Sequence, residues 1–263
     1  MLEMVTSKNN PLIKHYRKLC ENKHYRYTYR LFVVEGVRIV RDALQENIPC
    51  TILMTETAMK KYSEDLQGLM QQPESFRMIS DEIGEYISDT EHTQGVFAIC
   101  GMRNLQLSSG NIRPDGRYLV LEHLQDTGNM GMILRTADAM GMDAVISCGS
   151  CEIYNPKTVR ATMGAIFRIP VYEETEIRKI VGILQEKKVL SYGAVLREDA
   201  VSLSEMQMGK GCAVWIGNEG NGLSNEAVEA CDKCVIIPMR GRTESLNAAM
   251  AAGIMMWEMV RHE

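Results

Sequence analysis

The sequence predicts a soluble α/β protein of two domains, the second built on a parallel sheet. Three observations predict it. Short apolar runs alternate with segments of helical periodicity along nearly all 263 residues. In the second half, runs such as Tyr118 to Leu121, Ala144 to Ser147 and Cys212 to Ile216 are almost continuously apolar. That pattern marks strands covered by helices on both faces. Between them, Ser108-Ser109-Gly110-Asn111 and Pro114-Asp115-Gly116 are loop and turn chemistry. They place a linker at 106–116, between a domain of residues 1–105 and one of residues 117–263.

The elements follow in order. Arg30 to Val34 is β-rich and ends at Glu35-Gly36. Val37, Val40 and Leu44 give helical spacing over Val37 to Gln45. Thr51 to Met54 reads as a strand, and Thr57 to Met70 as a helix with Leu66, Leu69 and Met70 on one side. A strand at Phe76 to Ile79, a short helix at Asp81 to Ile87 and a strand at Gly95 to Cys100 complete the first domain. Beyond the linker, the Tyr118 strand leads to a helix from about Asn129 to Met140. Asn155 caps, and Pro156 opens, a helix reaching Met163. Strands are expected at Ala144 to Ser147, Arg168 to Val171, Val189 to Val195, Cys212 to Ile216 and Cys234 to Ile237. Helices are expected at Glu176 to Lys187, Asn225 to Cys231 and about Ser245 to Arg261.

Composition narrows the class. No apolar run has the length of a membrane span, and Met1 to Asn10 lacks an apolar signal core. A cytoplasmic protein is the simplest reading. Of the eight cysteines, four form the pairs Cys148-x-x-Cys151 and Cys231-x-x-Cys234. Their wide separation does not match a zinc ribbon, and both pairs border strands where cysteine serves as a small apolar residue. No metal is expected. The net charge of −5 does not advertise nucleic-acid binding, but its distribution does. Lys8, Lys14, Arg17, Lys18, Lys23, Arg26 and Arg30 are interleaved with His15, His24, Tyr16, Tyr25, Tyr27 and Tyr29. Cations attract phosphates and aromatic rings stack on unpaired bases. A solvated amphipathic helix accounts for the same residues equally well.

Three motifs in the second half carry chemistry. Gly217-Asn218-Glu219-Gly220-Asn221-Gly222-Leu223-Ser224 follows an apolar strand. Its glycines allow a sharp turn and close backbone approach to a ligand. It is no Walker loop, because no Gly-Lys-Ser/Thr follows, and its spacing is wrong for a dinucleotide fingerprint. Glu219 needs a partner, and Arg135 is the candidate. Arg135 lies in the helix that follows Asp126-Thr127-Gly128-Asn129, with Gly128 and Met132 near its face. Ile237-Pro238-Met239 ends a strand, Arg240-Gly241-Arg242 is a basic loop, and Ser245 is placed to cap the last helix. All three motifs fall after strand ends, where open α/β sheets bind ligands.

In this order and spacing the motifs resemble the SpoU/TrmH family of the SPOUT superfamily. The resemblance extends over almost the whole chain. It includes Asn155-Pro156-Lys157-x-x-Arg160-Ala161-x-Met163-Gly164-Ala165, Ser7-Lys8-Asn9-Asn10-Pro11-Leu12-Ile13-Lys14, Phe32-x-x-Glu35-Gly36 and His92-x-Gln94-Gly95. Thr127 departs from the pattern, standing where proline is usual after the aspartate. The resemblance implies a C-terminal parallel-sheet methyltransferase domain with a deep trefoil knot. It also implies an N-terminal substrate-binding domain similar to a ribosomal-protein α/β sandwich.

The implied activity is transfer of a methyl group from S-adenosyl-L-methionine to a ribose 2′-hydroxyl of RNA, by a homodimer. Ribosomal RNA is the better guess; transfer RNA and an inactive RNA-binding homologue are the alternatives. Cofactor contacts fall on Ala194, Leu196, Gly217, Asn218, Ile237, Met239 and Leu246. Catalytic or substrate-positioning roles fall on Asn129, Arg135, Glu219, Ser245 and Asn247. Arg135 maps to the family's proposed base, although arginine normally stays protonated. RNA contacts are expected from Lys8, Lys14, Arg17, Lys23, Arg26, Lys157 and Arg160. A nucleotide-dependent oxidoreductase is the rival from another class, and the missing dinucleotide fingerprint argues against it.

Overall fold

The computed structural model describes residues 4–62, 64, 76–103, 105–197 and 199–262. The chain divides into two compact units, and the division is not a single cut. Unit 1 holds Met1–Arg103 together with Tyr154–Phe167, and unit 2 holds Asn104–Ile153 and Arg168–Glu263.

Unit 1 opens with helix α1 (Pro11–Glu21), capped by the Asn10 side chain, and α2 (Lys23–Tyr29), capped by Asn22. Strand β1 (Leu31–Glu35), helix α3 (Val37–Gln45), strand β2 (Cys50–Thr55) and helix α4 (Glu56–Tyr62) follow. Strand β3 (Phe76–Ile79), helix α5 (Asp81–Ile87) and strand β4 (Val96–Gly101) complete the series. Beyond α4, the part of the expected helix that carries Leu66, Leu69 and Met70 lies outside the described residues. The strands pair in the order β1-β4-β2-β3, antiparallel at β1-β4 and β4-β2, parallel at β2-β3. One face of α1 supplies Ile13, Tyr16 and Leu19, buried against Val33, Leu53, Phe97 and Ile99 of the sheet and Ile83 and Ile87 of α5. Spacing of three residues puts those side chains on one helix face and leaves Lys14 and Lys18 outside. Segment 154–167 carries α7 (Pro156–Ala161), which is capped by Asn155. Within unit 1 its Tyr154 and Phe167 rings lie 4.8 and 6.0 Å from that of Phe32.

Unit 2 contains β5 (Arg117–Glu122), α6 (Thr127–Ala139), β6 (Ala144–Cys148), β7 (Val171–Glu174), α8 (Ile177–Glu186) and β8 (Leu190–Ala194). They are followed by β9 (Val201–Ser202), β10 (Cys212–Ile216), α9 (Asn225–Ala230), β11 (Lys233–Ile236) and α10 (Ala248–Val260). The sheet order is β7-β6-β5-β10-β8-β11-β9 and all its pairings are parallel. Val120, Ile146, Ala213 and Trp215 form the buried sheet face beneath α8 and α9. Two expectations shift. The strand expected at Arg168 to Val171 starts at Val171, because a 3-10 turn at Ala165–Phe167 and the donorless Pro170 precede it. The last helix starts at Ala248 rather than near Ser245, because the cap is Asn247, whose Oδ1 accepts from the Ala249 and Met250 amides.

A candidate cofactor cleft and its hydrogen-bonded rim

The loops after β8, β10 and β11 open at the carboxyl end of the unit 2 sheet, and each contributes to one cleft. The cleft has a volume of about 390 Å³. Ala194 and Leu196 line it from the first loop, Gly217, Asn218 and Glu219 from the second, and Ile237, Met239, Ser245 and Leu246 from the third. All seven expected cofactor residues are therefore brought together, with two of the five expected catalytic ones. Leu196 is 59% exposed and Leu246 37%, apolar surface that a bound molecule would cover.

The glycine-rich loop is tightly closed. Asn218 and Gly222 exchange backbone hydrogen bonds of 2.9 Å in both directions. The Asn218 Oδ1 accepts from the Gly220 and Asn221 amides, and its Nδ2 donates to the His123 carbonyl at 2.8 Å. His123 has φ +52°, in the left-handed region that side-chain-bearing residues seldom enter. Gly217 is dictated by space: a Cβ there would lie 2.1 Å from the Gly222 carbonyl carbon. Just past the loop, buried Glu122 accepts from the Ser224 amide at 2.8 Å and its hydroxyl at 2.5 Å, while Ser224 caps α9.

Glu219 does not pair with Arg135, contrary to the sequence expectation. Its Oε2 accepts from the Gln125 amide and its Oε1 from the Asp126 amide, both at 3.0 Å. Asn129 Nδ2 also donates to Oε1, at 3.1 Å. Amides at a helix entrance lack intrahelical acceptors, so a carboxylate placed there is captured locally. Burial opposes ionisation of Glu219. The Gln125 and Asp126 amides and the Asn129 side chain outweigh it, and its pKa falls below the ordinary value. Asp126 caps the same helix, accepting from the Asn129 amide at 2.7 Å.

The chain of contacts continues. Asn129, 6% exposed, accepts at Oδ1 from Asn247 Nδ2 at 2.9 Å. Asn247 in turn caps α10. Glu219, Asn129 and Asn247 thus link the β10 loop, the start of α6 and the start of α10 into one polar rim. The three sequence motifs meet there. Arg135 stands apart, exposed two turns into α6, beside Met132, which is 46% exposed.

Of the expected RNA contacts, Lys8, Lys14, Arg17, Lys23, Lys157 and Arg160 are on unit 1 with at least partly exposed side chains. Arg160 pairs with Asp89. Arg26 is a correction. It is 2% exposed and donates from Nη1 to the Leu19 and Cys20 carbonyls at 2.6 and 3.0 Å. It closes the carbonyl end of α1 and presents no charge to a ligand. The eight cysteines are free thiols. Burial pushes Cys148 up to about 11 and Cys231 up to about 12, as for structural thiols.

Sequence reasoning passed over Gln125, Asp126 and Glu122. Asp126 had a visible signal, an aspartate just ahead of a helix, whereas the Glu122–Ser224 pair joins residues distant in sequence and needed the fold.

The fold is that of a class of enzymes that move a methyl group from S-adenosylmethionine to RNA. The chain belongs to the SpoU rRNA methylase family, whose model matches residues 116–257. Residues 10–98 match the MRM3-like substrate binding domain. Over 260 residues the chain is 30% identical to the 23S rRNA (guanosine(2553)-2′-O)-methyltransferase RlmP of Bacillus subtilis, covering 98% of this chain and 99% of that one. It is 28% identical over 264 residues to the 23S rRNA (uridine(2479)-2′-O)-methyltransferase of Streptomyces viridochromogenes, covering 98% and 91%. The crystal structure of an AdoMet-bound rRNA methyltransferase from Sinorhizobium meliloti superimposes with a TM-score of 0.87 at 28% identity, over 99% of this chain and 98% of that one.

Proposed function

We propose that this chain methylates a ribose 2′-hydroxyl of ribosomal RNA, as a cytoplasmic homodimer whose methyltransferase domain carries the family's trefoil knot. The observation that carries the reading is the polar rim Glu219–Asn129–Asn247 standing beside the cleft. The likeness to two 23S rRNA 2′-O-methyltransferases over nearly their full length supports the substrate. Convergence of the loops after β8, β10 and β11 on one cleft supports the knotted threading.

The cleft fits S-adenosylmethionine. Its volume lies in the range of roughly 300–1,000 Å³ usual for small-molecule sites. Its lining combines apolar Ile216, Ile237 and Leu246 with Gly217, Asn218 and Gly220 of the glycine loop. Ala194, Leu196, Gly217, Asn218, Ile237, Met239 and Leu246 would hold the cofactor, which supplies an electrophilic methyl group on a positively charged sulfur. The protein's own work is alignment and proton handling. Asn129 locks Glu219 and Asn247 in place, and Ser245 lines the cleft beside Leu246. Exposed Arg135 positions an RNA phosphate and polarises the hydroxyl. Acting as a base would require desolvation of Arg135, which the single chain does not provide. Arg135→Ala is expected to abolish turnover and leave calorimetric cofactor binding within about twofold of wild type, since the residue does not line the cleft. Near-normal turnover would remove Arg135 from the central machinery.

The dimer reading rests on α10. Met250 and Trp257 are 61% and 55% exposed on one helix face. A Cβ added at Gly253, between them, would lie 4.0 Å from Thr136 Cγ2 of α6, one turn from exposed Met132. Large exposed apolar side chains sharing a helix face suit a protein interface. Covering it with a second copy would also bring protein towards the Arg135 face. Trp257→Glu should yield a monomer by light scattering and lose transfer activity; a wild-type monomer would refute the dimer. The substrate is tested by mapping ribose methylation in RNA from cells with and without the protein. Loss of one mark in large-subunit ribosomal RNA is expected, and loss confined to transfer RNA would overturn the ribosomal assignment.

A further inference from the structure

The basic, aromatic stretch around α1, expected from the sequence to meet RNA, carries two distinct features in unit 1. The first is a depression of about 270 Å³ whose lining includes Lys8, Lys14, Arg17, Lys18, Glu21 and Tyr86. Lys8 Nζ and the Arg17 guanidinium lie 5.1 and 4.8 Å from the Tyr86 ring centre. Lys8 also pairs with Glu82 at 3.1 Å, and Arg17 with Glu21. Lys14 and Lys18 form no ion pair among the described residues, so the depression keeps a net positive charge.

The second feature is an aromatic facet. The His15 ring stands edge-on to Tyr25 and Tyr29, with centroids 5.5 Å from each, and Tyr25 and Tyr29 are 4.4 Å apart. His15 Nδ1 and the Tyr25 hydroxyl share a 2.8 Å hydrogen bond. These contacts fix the rings, yet Tyr29 remains 52% exposed. Burial and then the Lys18 charge lower the His15 pKa, so the facet is uncharged at neutral pH. Lys18 joins the two features, since it lines the depression and its Nζ lies 5.6 Å from the Tyr25 ring centre.

We propose that this surface binds an unpaired RNA nucleotide, with its base stacked on Tyr29 and the phosphates of the same strand on Lys14 and Lys18. The inference deepens the reading above and rests on RNA being the substrate. A fixed, half-exposed ring packed on Tyr25, which Lys18 in turn approaches, suits a base with a free π-face on a strand whose phosphates meet the lysines. A paired A-form helix hides its base faces and offers only phosphates and hydroxyls. The substrate class is therefore RNA with a splayed base in a loop or bulge, and a continuous duplex is disfavoured.

The test uses the full-length protein and three fluorescent RNAs: a hairpin with an unpaired loop, the same hairpin with abasic loop positions, and a blunt duplex. Tyr29→Ala should weaken binding of the intact hairpin about tenfold and leave the other two unchanged. Tyr29→Phe should restore it. Combined Lys14→Ala and Lys18→Ala should weaken all three and reduce the salt dependence of hairpin binding by about 1–2 in slope. An unchanged hairpin affinity in Tyr29→Ala, an equal loss on all three RNAs, or an unchanged salt slope would overturn the proposal. Calorimetry of the same proteins with S-adenosylmethionine separates the two readings. A wild type that discriminates the RNAs but binds no cofactor would sink methyl transfer and leave the nucleotide site standing.

Discussion

Replacing Asn129 by alanine is expected to cut methyl transfer about a hundredfold while leaving cofactor affinity nearly unchanged. Asn129 does not line the cleft, so little binding energy is removed from it. What is lost is registration. Its Nδ2 holds the Glu219 carboxylate at 3.1 Å, and its Oδ1 holds Asn247 at 2.9 Å. With the amide gone, Glu219 retains the two backbone amides of Gln125 and Asp126, but exposed Asn247 loses the contact that fixes its side chain. A displacement near 1 Å at a reacting centre costs about a hundredfold in rate. The signature is a fall in kcat with a calorimetric Kd for S-adenosylmethionine close to wild type. Asn129→Asp should be at least as damaging, because it sets a second carboxylate against Glu219. Wild-type kcat in both variants would show that the rim is structural only.

Gly217→Ala is expected to fail at the cofactor instead. The added Cβ would lie 2.1 Å from the Gly222 carbonyl carbon and 2.2 Å from the Leu223 nitrogen. Both are backbone atoms, so no rotamer change relieves the overlap. The loop must open, breaking the paired Asn218 and Gly222 bonds and moving the wall of the cleft. Overpacking of this kind costs about 1–3 kcal/mol. Cofactor affinity should drop more than tenfold, and thermal unfolding should move down by several degrees. Gly241→Ala is the control, because nothing lies within 4 Å of a Cβ there.

Much of the fold was legible because its signals are local. Helix α3, strands β3 and β10 and helix α5 fall on the residues where periodicity and flanking breakers placed them. The α7 start was legible for the same reason, an Asn cap followed by proline. Features set by tertiary competition were not. Asn247 takes the cap of α10 from Ser245 while its amide reaches across to Asn129. Glu219 prefers the bare amides at the α6 entrance to an arginine two turns away. Arg26 reads as one more cation in a basic stretch, and only packing shows that its charge is spent on the α1 carbonyls. That Tyr154–Phe167 clusters with unit 1 is likewise invisible in composition, since the segment differs little from its neighbours.

The candidate site shows the same division. Residues that reach the cleft through backbone position, such as Gly217 and Ile237, follow from motif and strand end. Residues that act through a side-chain partner, such as Asn129 and Glu219, were visible as types but not as a connected rim.

The central claim is that the cleft and its rim direct a methyl group to a ribose oxygen. It is tested most directly by incubating the full-length protein with labelled S-adenosylmethionine and ribosomal RNA from cells lacking it, then digesting the RNA to nucleosides. The account predicts label in a single 2′-O-methylnucleoside, and almost none with Asn129→Ala or Arg135→Ala. Label on a base would contradict it, as would no transfer from a protein that binds the cofactor.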